Sequence, residues 1–215
     1  MLLLVAGKET TGVTEVAGLC RCGVIEVLQF EVACDYPLAG WIANGGRVQL
    51  TIDKTWDGAS IDDGELVRLR LILGDDGLRI EVSAPYHGDP TPPGPPGPTD
   101  KLWEHEVVEL FVVGADDHYT EIELGPHGHH LVLQLQGVRN CVAKLLPCAL
   151  GVHRTEDRWT AQAVIESELL PQRPWRMNAF AIHGEGASRR YLAMTPVPGD
   201  APDFHRIELF EAGSI

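Results

Sequence analysis

From Val48 onward, short runs of this chain carry apolar side chains at every second position, broken by turn-forming residues. That period of two belongs to a strand with one buried face; a helix would repeat every three to four residues. Leu66, Arg68, Arg70 and Ile72 oppose Val67, Leu69, Leu71 and Leu73. Asp75-Asp76-Gly77 then offers a hairpin turn, and Leu78, Ile80 and Val82 alternate with Arg79, Glu81 and Ser83 on the way back. Similar runs fall at 48–57, 150–154, 158–166, 176–183, 190–194 and 203–210, with a hairpin expected around Glu156-Asp157. Roughly nine or ten short strands with almost no helical period predict an all-β fold, an antiparallel β-sandwich of jelly-roll type. Residues 48–215 are assigned to that domain. Residues 1–47, with weak alternation from Val24 to Val32 and a turn signal at Asn44-Gly45-Gly46, form an N-terminal extension to which no role is assigned.

The stretch Leu102–Leu135, LWEHEVVELFVVGADDHYTEIELGPHGHHLVLQL, reads as three successive strands. Parity sorts its side chains. Trp103, His105, Val107, Glu109 and Phe111 share one face of the first strand, and Tyr119, Glu121 and Glu123 share one face of the second. Ile122 and Leu124 mark the opposite, buried side, so Glu121 and Glu123 look away from that core. Antiparallel pairing would set Glu109 beside them and make a ligand platform of Trp103, Glu109, Tyr119, Glu121 and Glu123. Periodicity alone equally accommodates solvated outer-face residues. Arg139 and Asn140, leaving the third strand, are candidates to hold hydroxyl groups. Trp175, Asn178 and His183, in and beside the strand at 176–183, complete the candidate ligand-binding set. The preceding PYHGDPTPPGPPGPTDK cannot pair regularly and is expected to be a stiff extended loop, one able to wall a groove.

Charge and cysteine content bound the function. With 31 acidic and 17 basic residues, a net charge of −14 argues against binding nucleic acid, which needs clustered Lys and Arg. No apolar run approaches the ~20 residues of a membrane helix, and MLLLVAG does not read as a signal peptide. The five cysteines, Cys20, Cys22, Cys34, Cys141 and Cys148, match no strong zinc pattern and fit a reducing, cytoplasmic setting.

The residue types favour binding over catalysis. Sugars are held by aromatic faces together with carboxylates, amides and guanidinium groups, so the expected partner is a saccharide or another small polar ligand. The first alternative is a small glycoside-hydrolase-type enzyme, with two of Glu109, Glu121 and Glu123 as its paired carboxyls and His127 or His183 in support. It requires one pocketed carboxyl of raised pKa. The second is a structural cation site made by the same glutamates. No cofactor is expected, although the glutamates, or the histidines His127, His129 and His130, leave room for calcium or zinc. His205, in DFHR, is a further candidate acid or base.

From about Ile52 to Phe210 the chain also resembles a family of small single-domain animal proteins with a carbohydrate-binding-like fold. The segments that carry the likeness are KTWDG, SAPYHGDPTPPGPPG, LWEHEVVELF, YTEIELGPHGHHLVL, GVRN, MNAFAIHG, YLAMTPVPG and PDFHRIELF. That family brings no settled activity with it. More distantly the chain is similar to family 9 carbohydrate-binding modules and DOMON-like domains, through the Trp-x5-Glu of Trp103 and Glu109 and the Tyr-x-Glu-x-Glu of Tyr119, Glu121 and Glu123. The resemblance implies that Trp103 and Glu109 contact a sugar and makes Trp175 the candidate for a second stacking tryptophan. It places no methionine–histidine pair for the haem of some DOMON domains. Residues 1–47 lie outside the family pattern.

Overall fold

The computed structural model describes residues 47–213. Its hairpins are those the alternation dictates. β3 (Val67–Gly74) and β4 (Gly77–Pro85) pair antiparallel from Arg68 opposite Ser83 to Gly74 opposite Gly77. Gly77 has φ +145°, and a side chain there would meet the Ile165 carbonyl, so glycine is required at this turn. β1 (Arg47–Ile52) flanks β3, while β11 (Arg158–Glu166) flanks β4 and carries β10 (Ala149–Arg154) at the far edge. The smaller sheet is thus β1-β3-β4-β11-β10.

The larger sheet runs β2 (Lys54–Thr55), β13 (Arg190–Ala193), β12 (Trp175–His183), β6 (Val107–Val113), β7 (His118–Leu124), β8 (His129–Gln136) and β5 (Gly97–Pro98). β9 (Cys141–Lys144) adds to β8, and β14 (Glu211–Gly213) adds to the start of β12. Every pairing is antiparallel except β5 with β8. The expected all-β sandwich is what the chain forms. Among the described residues no helix is long and apolar enough to cross a membrane.

Two apolar clusters follow from the pleat. Inward residues of both sheets meet in the first, among them Leu69, Leu71, Ile80, Val82, Ala163 and Ile165 facing Leu110, Val112, Ile122 and Met177. The second lies on the outer face of the larger sheet, where Phe111, Tyr119, Leu131, Leu135 and Phe180 are covered by Val197, Phe204, Ile207 and Phe210. β6 is accordingly buried along its whole length, as its near-continuous apolar sequence requires. The segment after β13 is what covers this outer face. Asn178 anchors it: the side chain is fully buried, donates to the Thr195 carbonyl at 2.8 Å and accepts the Thr195 amide at 3.0 Å.

Two expectations are corrected. Residues 102–106 do not extend β6; Leu102–Glu104 form a 3-10 turn that follows Lys101, whose φ is +59°. Residues 203–210 are not a closing strand; they run as a covering segment with a 3-10 turn at Ile207–Leu209. The proline-rich loop does not wall the pocket described below. It packs against the histidine turn instead, Thr99 Oγ1 lying 2.8 Å from His129 Nδ1. The N-terminal extension, Arg47 aside, lies outside the described residues.

Candidate functional site

The outer face of the larger sheet is not fully closed. A pocket of about 340 Å3 opens between the covering segment and the sheet, lined by Trp103, Glu109, Phe111, Glu121, Leu133, Leu135, Arg139, Cys141, Ile182, Tyr191, Pro202, Phe204 and His205. Its floor is set by register. Glu109 on β6 pairs with Glu123 on β7, and Phe111 pairs with Glu121. All three glutamates therefore emerge on one face, in the middle of an apolar cluster.

Their burial is close to complete, at 2% exposure for Glu109, 3% for Glu121 and 0% for Glu123. Glu109 Oε1 and Glu121 Oε2 have no hydrogen-bond partner in the protein, while the Glu123 carboxyl lies against that of Glu121, with which it shares a hydrogen bond once one of the two is protonated. A carboxylate stripped of water without compensation takes up a proton. Burial accordingly raises all three acids, Glu121 to about 7, with Glu109 and Glu123 well above the usual carboxylate range. Mutual repulsion adds to this, Glu121 raising Glu109, and Glu109 raising Glu123.

One polar chain leads from the mouth of the pocket to its floor. The Tyr119 hydroxyl accepts the Arg139 backbone N–H at 3.0 Å and lies 2.7 Å from His205 Nδ1. The hydroxyl proton is then free to be donated to Nδ1, which places the imidazole proton on Nε2. That nitrogen stands 3.9 Å from Glu121 Oε2. His205 is held neutral, lowered to about 4, first by burial and then by the Arg139 charge. Asp203 fixes both ends of this arrangement, accepting from Arg139 Nη2 at 2.7 Å and from the His205 amide at 3.0 Å.

The rim is aromatic. Trp103 is 39% exposed, the only tryptophan among the exposed large apolar residues described. Arg189 holds its turn in place, donating to the Trp103 carbonyl and, at 3.1 Å, to the Glu104 carbonyl. Of the four described non-glycine residues in the left-handed region, Lys101, Asp117, Arg139 and Leu145, Arg139 lines the pocket and Lys101 immediately precedes the Trp103 turn. Such conformations persist where the surroundings impose them and concentrate at ligand clamps.

The structure brings together Trp103, Glu109, Glu121 and Arg139 from the expected set, with Glu123 and Tyr119 directly behind them. It separates the others. Asn140 donates to the Gln136 carbonyl in its own turn. Trp175 is buried between the sheets, its indole N–H donating to the Pro171 carbonyl at 2.8 Å. Asn178 is spent on Thr195. His183 belongs to a different cluster, stacked on His87 at 3.5 Å and facing Glu65, which Arg190 also grips. Nor do the glutamates sit as a solvated platform: the covering segment encloses them. His205 had a sequence signal, lying two residues after Asp203 in DFHR. Tyr191, Phe204 and Cys141 had none, since nothing local shows that these segments converge. Among the described residues no three His, Cys, Asp or Glu side chains form a group able to hold a metal ion, so the histidine trio and the glutamates are not assembled for one.

Fold and pocket together define a two-sheet β-sandwich with an acid-floored pocket on the outer face of its larger sheet. In solved structures the same fold occurs in a proposed carbohydrate-binding protein from Bacteroides uniformis, with TM-score 0.61 and 15% identity over 76% of this chain and 84% of that one. A family 9 carbohydrate-binding module from Caldicellulosiruptor kristjanssonii, in complex with cellotriose, matches at TM-score 0.41 and 11% identity over 60% and 65%, too loosely to carry an argument. No family model matches the chain. Individual relatives do. The UPF0462 protein C4orf33 homolog of Rattus norvegicus is 44% identical over 173 residues, covering 76% of this chain and 86% of that protein. The human UPF0462 protein C4orf33 is 41% identical over 170 residues, at 75% and 85% coverage, and the Danio rerio homolog 40% over 169, at 74% and 85%. The chain belongs to the UPF0462 family.

Proposed function

We propose that this protein is a non-catalytic binding protein whose outer-face pocket takes a saccharide or a comparable small polyhydroxyl compound. One observation carries the reading: a half-exposed tryptophan, a guanidinium group and two unpartnered buried carboxyls meet around one open cavity. An indole face stacks on the C–H surface of a sugar ring, while Glu109, Glu121 and Arg139 supply the acceptors and donors its hydroxyls need. At about 340 Å3 the pocket is at the small end of the roughly 300–1,000 Å3 range for ligand sites. It suits one or two rings rather than a long chain. The sandwich fold shared with a proposed carbohydrate-binding protein is consistent with this reading. A reducing, cytoplasmic setting, argued from the cysteine pattern, belongs to the same proposal. Glycan-array screening followed by calorimetry on the full chain is expected to find saturable, one-to-one binding of a mono- or disaccharide. The absence of saturable binding at millimolar sugar would remove the reading.

A second reading has its own support. Hydrolysis of a glycoside needs a pocketed acid of raised pKa beside a second carboxyl, and Glu121 with Glu109 meets that description. Release of a reducing sugar from a bound glycoside, lost in Glu121→Gln, would establish it over simple binding. A ligand recovered intact after long incubation would dismiss it.

A further inference from the structure

We propose that the ligand of this pocket carries a protonated amine, seated against Glu109 and Glu121 with its carbon flanks on the aromatic walls. The inference rests on the outer-face pocket being the ligand site and deepens that reading by naming a ligand class. It begins with a cluster of buried acids that has no cationic partner. Glu109 and Glu121 each present a buried oxygen without a partner to the same cavity, and Glu123 stands behind them against the Glu121 carboxyl. Among the described residues no lysine or arginine pairs with any of the three. The two arginines whose charge reaches these acids form no ion pair with them, Arg139 Nη2 being held by Asp203 and Arg189 by main-chain carbonyls. The one basic side chain close by, His205 at 3.9 Å from Glu121, is uncharged.

A buried acid cluster of this kind is costly to leave unmatched. A hydroxyl can donate to a carboxyl but brings no compensating charge. An ammonium group brings both, and its hydrogen bonds to carboxylates belong to the stronger, charge-assisted class. The walls point the same way. Trp103, Phe111, Tyr191 and Phe204 line the cavity, and aromatic faces attract a cation as well as packing on its carbons. An anionic ligand would keep these acids protonated and bring no opposite charge to the floor. A hard divalent ion would find too few oxygens among so many aromatic and aliphatic groups.

The test is calorimetric titration of the full chain at pH 7 with five small molecules. They are glucose, glucosamine, 6-amino-6-deoxyglucose, N-acetylglucosamine and cyclohexylamine. At least one amino sugar is expected to bind tenfold or more tightly than both glucose and N-acetylglucosamine. In Glu121→Gln and Glu109→Gln, each close in shape to a protonated glutamate, the ratio of amino-sugar to glucose affinity should fall severalfold, with a retained melting transition showing that the fold is intact. Equal binding of neutral and amino sugars would overturn the amine while leaving the saccharide pocket standing. Cyclohexylamine binding without any sugar would keep the amine and remove the saccharide. No binding by any of the five would count against both, as would an amine preference that survives in both glutamine variants.

Discussion

Glu121 is the residue on which the chemistry of the pocket turns, and its burial has a consequence for stability. Its carboxyl is raised to about 7 in the folded protein from an ordinary value of 4.5. Below pH ~4.5 it is protonated in both folded and unfolded chains and contributes nothing to the pH dependence. Between about 4.5 and 7 the folded state keeps a proton that the unfolded state has released, so stability falls as pH rises, by up to about 1.4 kcal/mol per pH unit. Above that window the loss is complete. His205 and His87, both lowered to about 4 by burial, act in the opposite sense, losing stability as pH falls below their unfolded values near 6.5. The comparison of Glu121→Gln with the parent chain isolates the carboxyl. Chemical denaturation should show the variant gaining on the parent as pH rises from 5 to 8, reaching about 2–3 kcal/mol. A difference that does not change with pH would mean that the carboxyl is solvated. Parity made the shared direction of Glu109, Glu121 and Glu123 legible in the sequence. Their burial was not, because alternation tells which face a side chain takes and says nothing of what later covers that face.

Among the elements, the hairpins were the most readable, since each is a local agreement between alternation and turn chemistry; β3–β4 and β10–β11 form where Asp75-Asp76-Gly77 and Glu156-Asp157 placed them. The two segments that depart from their expected strands, 102–106 and 203–210, supply Trp103, Phe204 and His205 to the pocket. Both hold their positions through long-range contacts, Arg189 with the Trp103 turn and Asp203 with Arg139. No local period encodes such contacts. Trp103 therefore reaches the glutamates from a turn rather than along their strand, and the expected second tryptophan, Trp175, lies between the sheets. If the Arg189 guanidinium is what aims Trp103, Arg189→Ala should weaken saccharide binding by roughly tenfold, the loss of its three charge-assisted hydrogen bonds to main-chain carbonyls being felt in geometry as well as stability. Its melting temperature should fall by only a few degrees. Unchanged affinity would show that the indole is held by something else.

At the largest scale, the described residues form a sandwich with a third layer over part of one sheet. The intersheet core explains the fold, and the smaller sheet keeps a polar outer face of Arg68, Arg70, Glu81, Thr160 and Gln162. The larger sheet instead carries a second apolar cluster with acids at its centre. Such acids serve the fold poorly, and a buried network left half satisfied is worse than an apolar one. On the proposed reading, a ligand completes them. The direct test is a crystal structure of the full chain with the tightest saccharide found by screening. Density for the sugar against Trp103, with hydrogen bonds to Glu109, Glu121 or Arg139, is the expected result. Density on the polar face of the smaller sheet, with the outer-face pocket filled only by solvent, would contradict it.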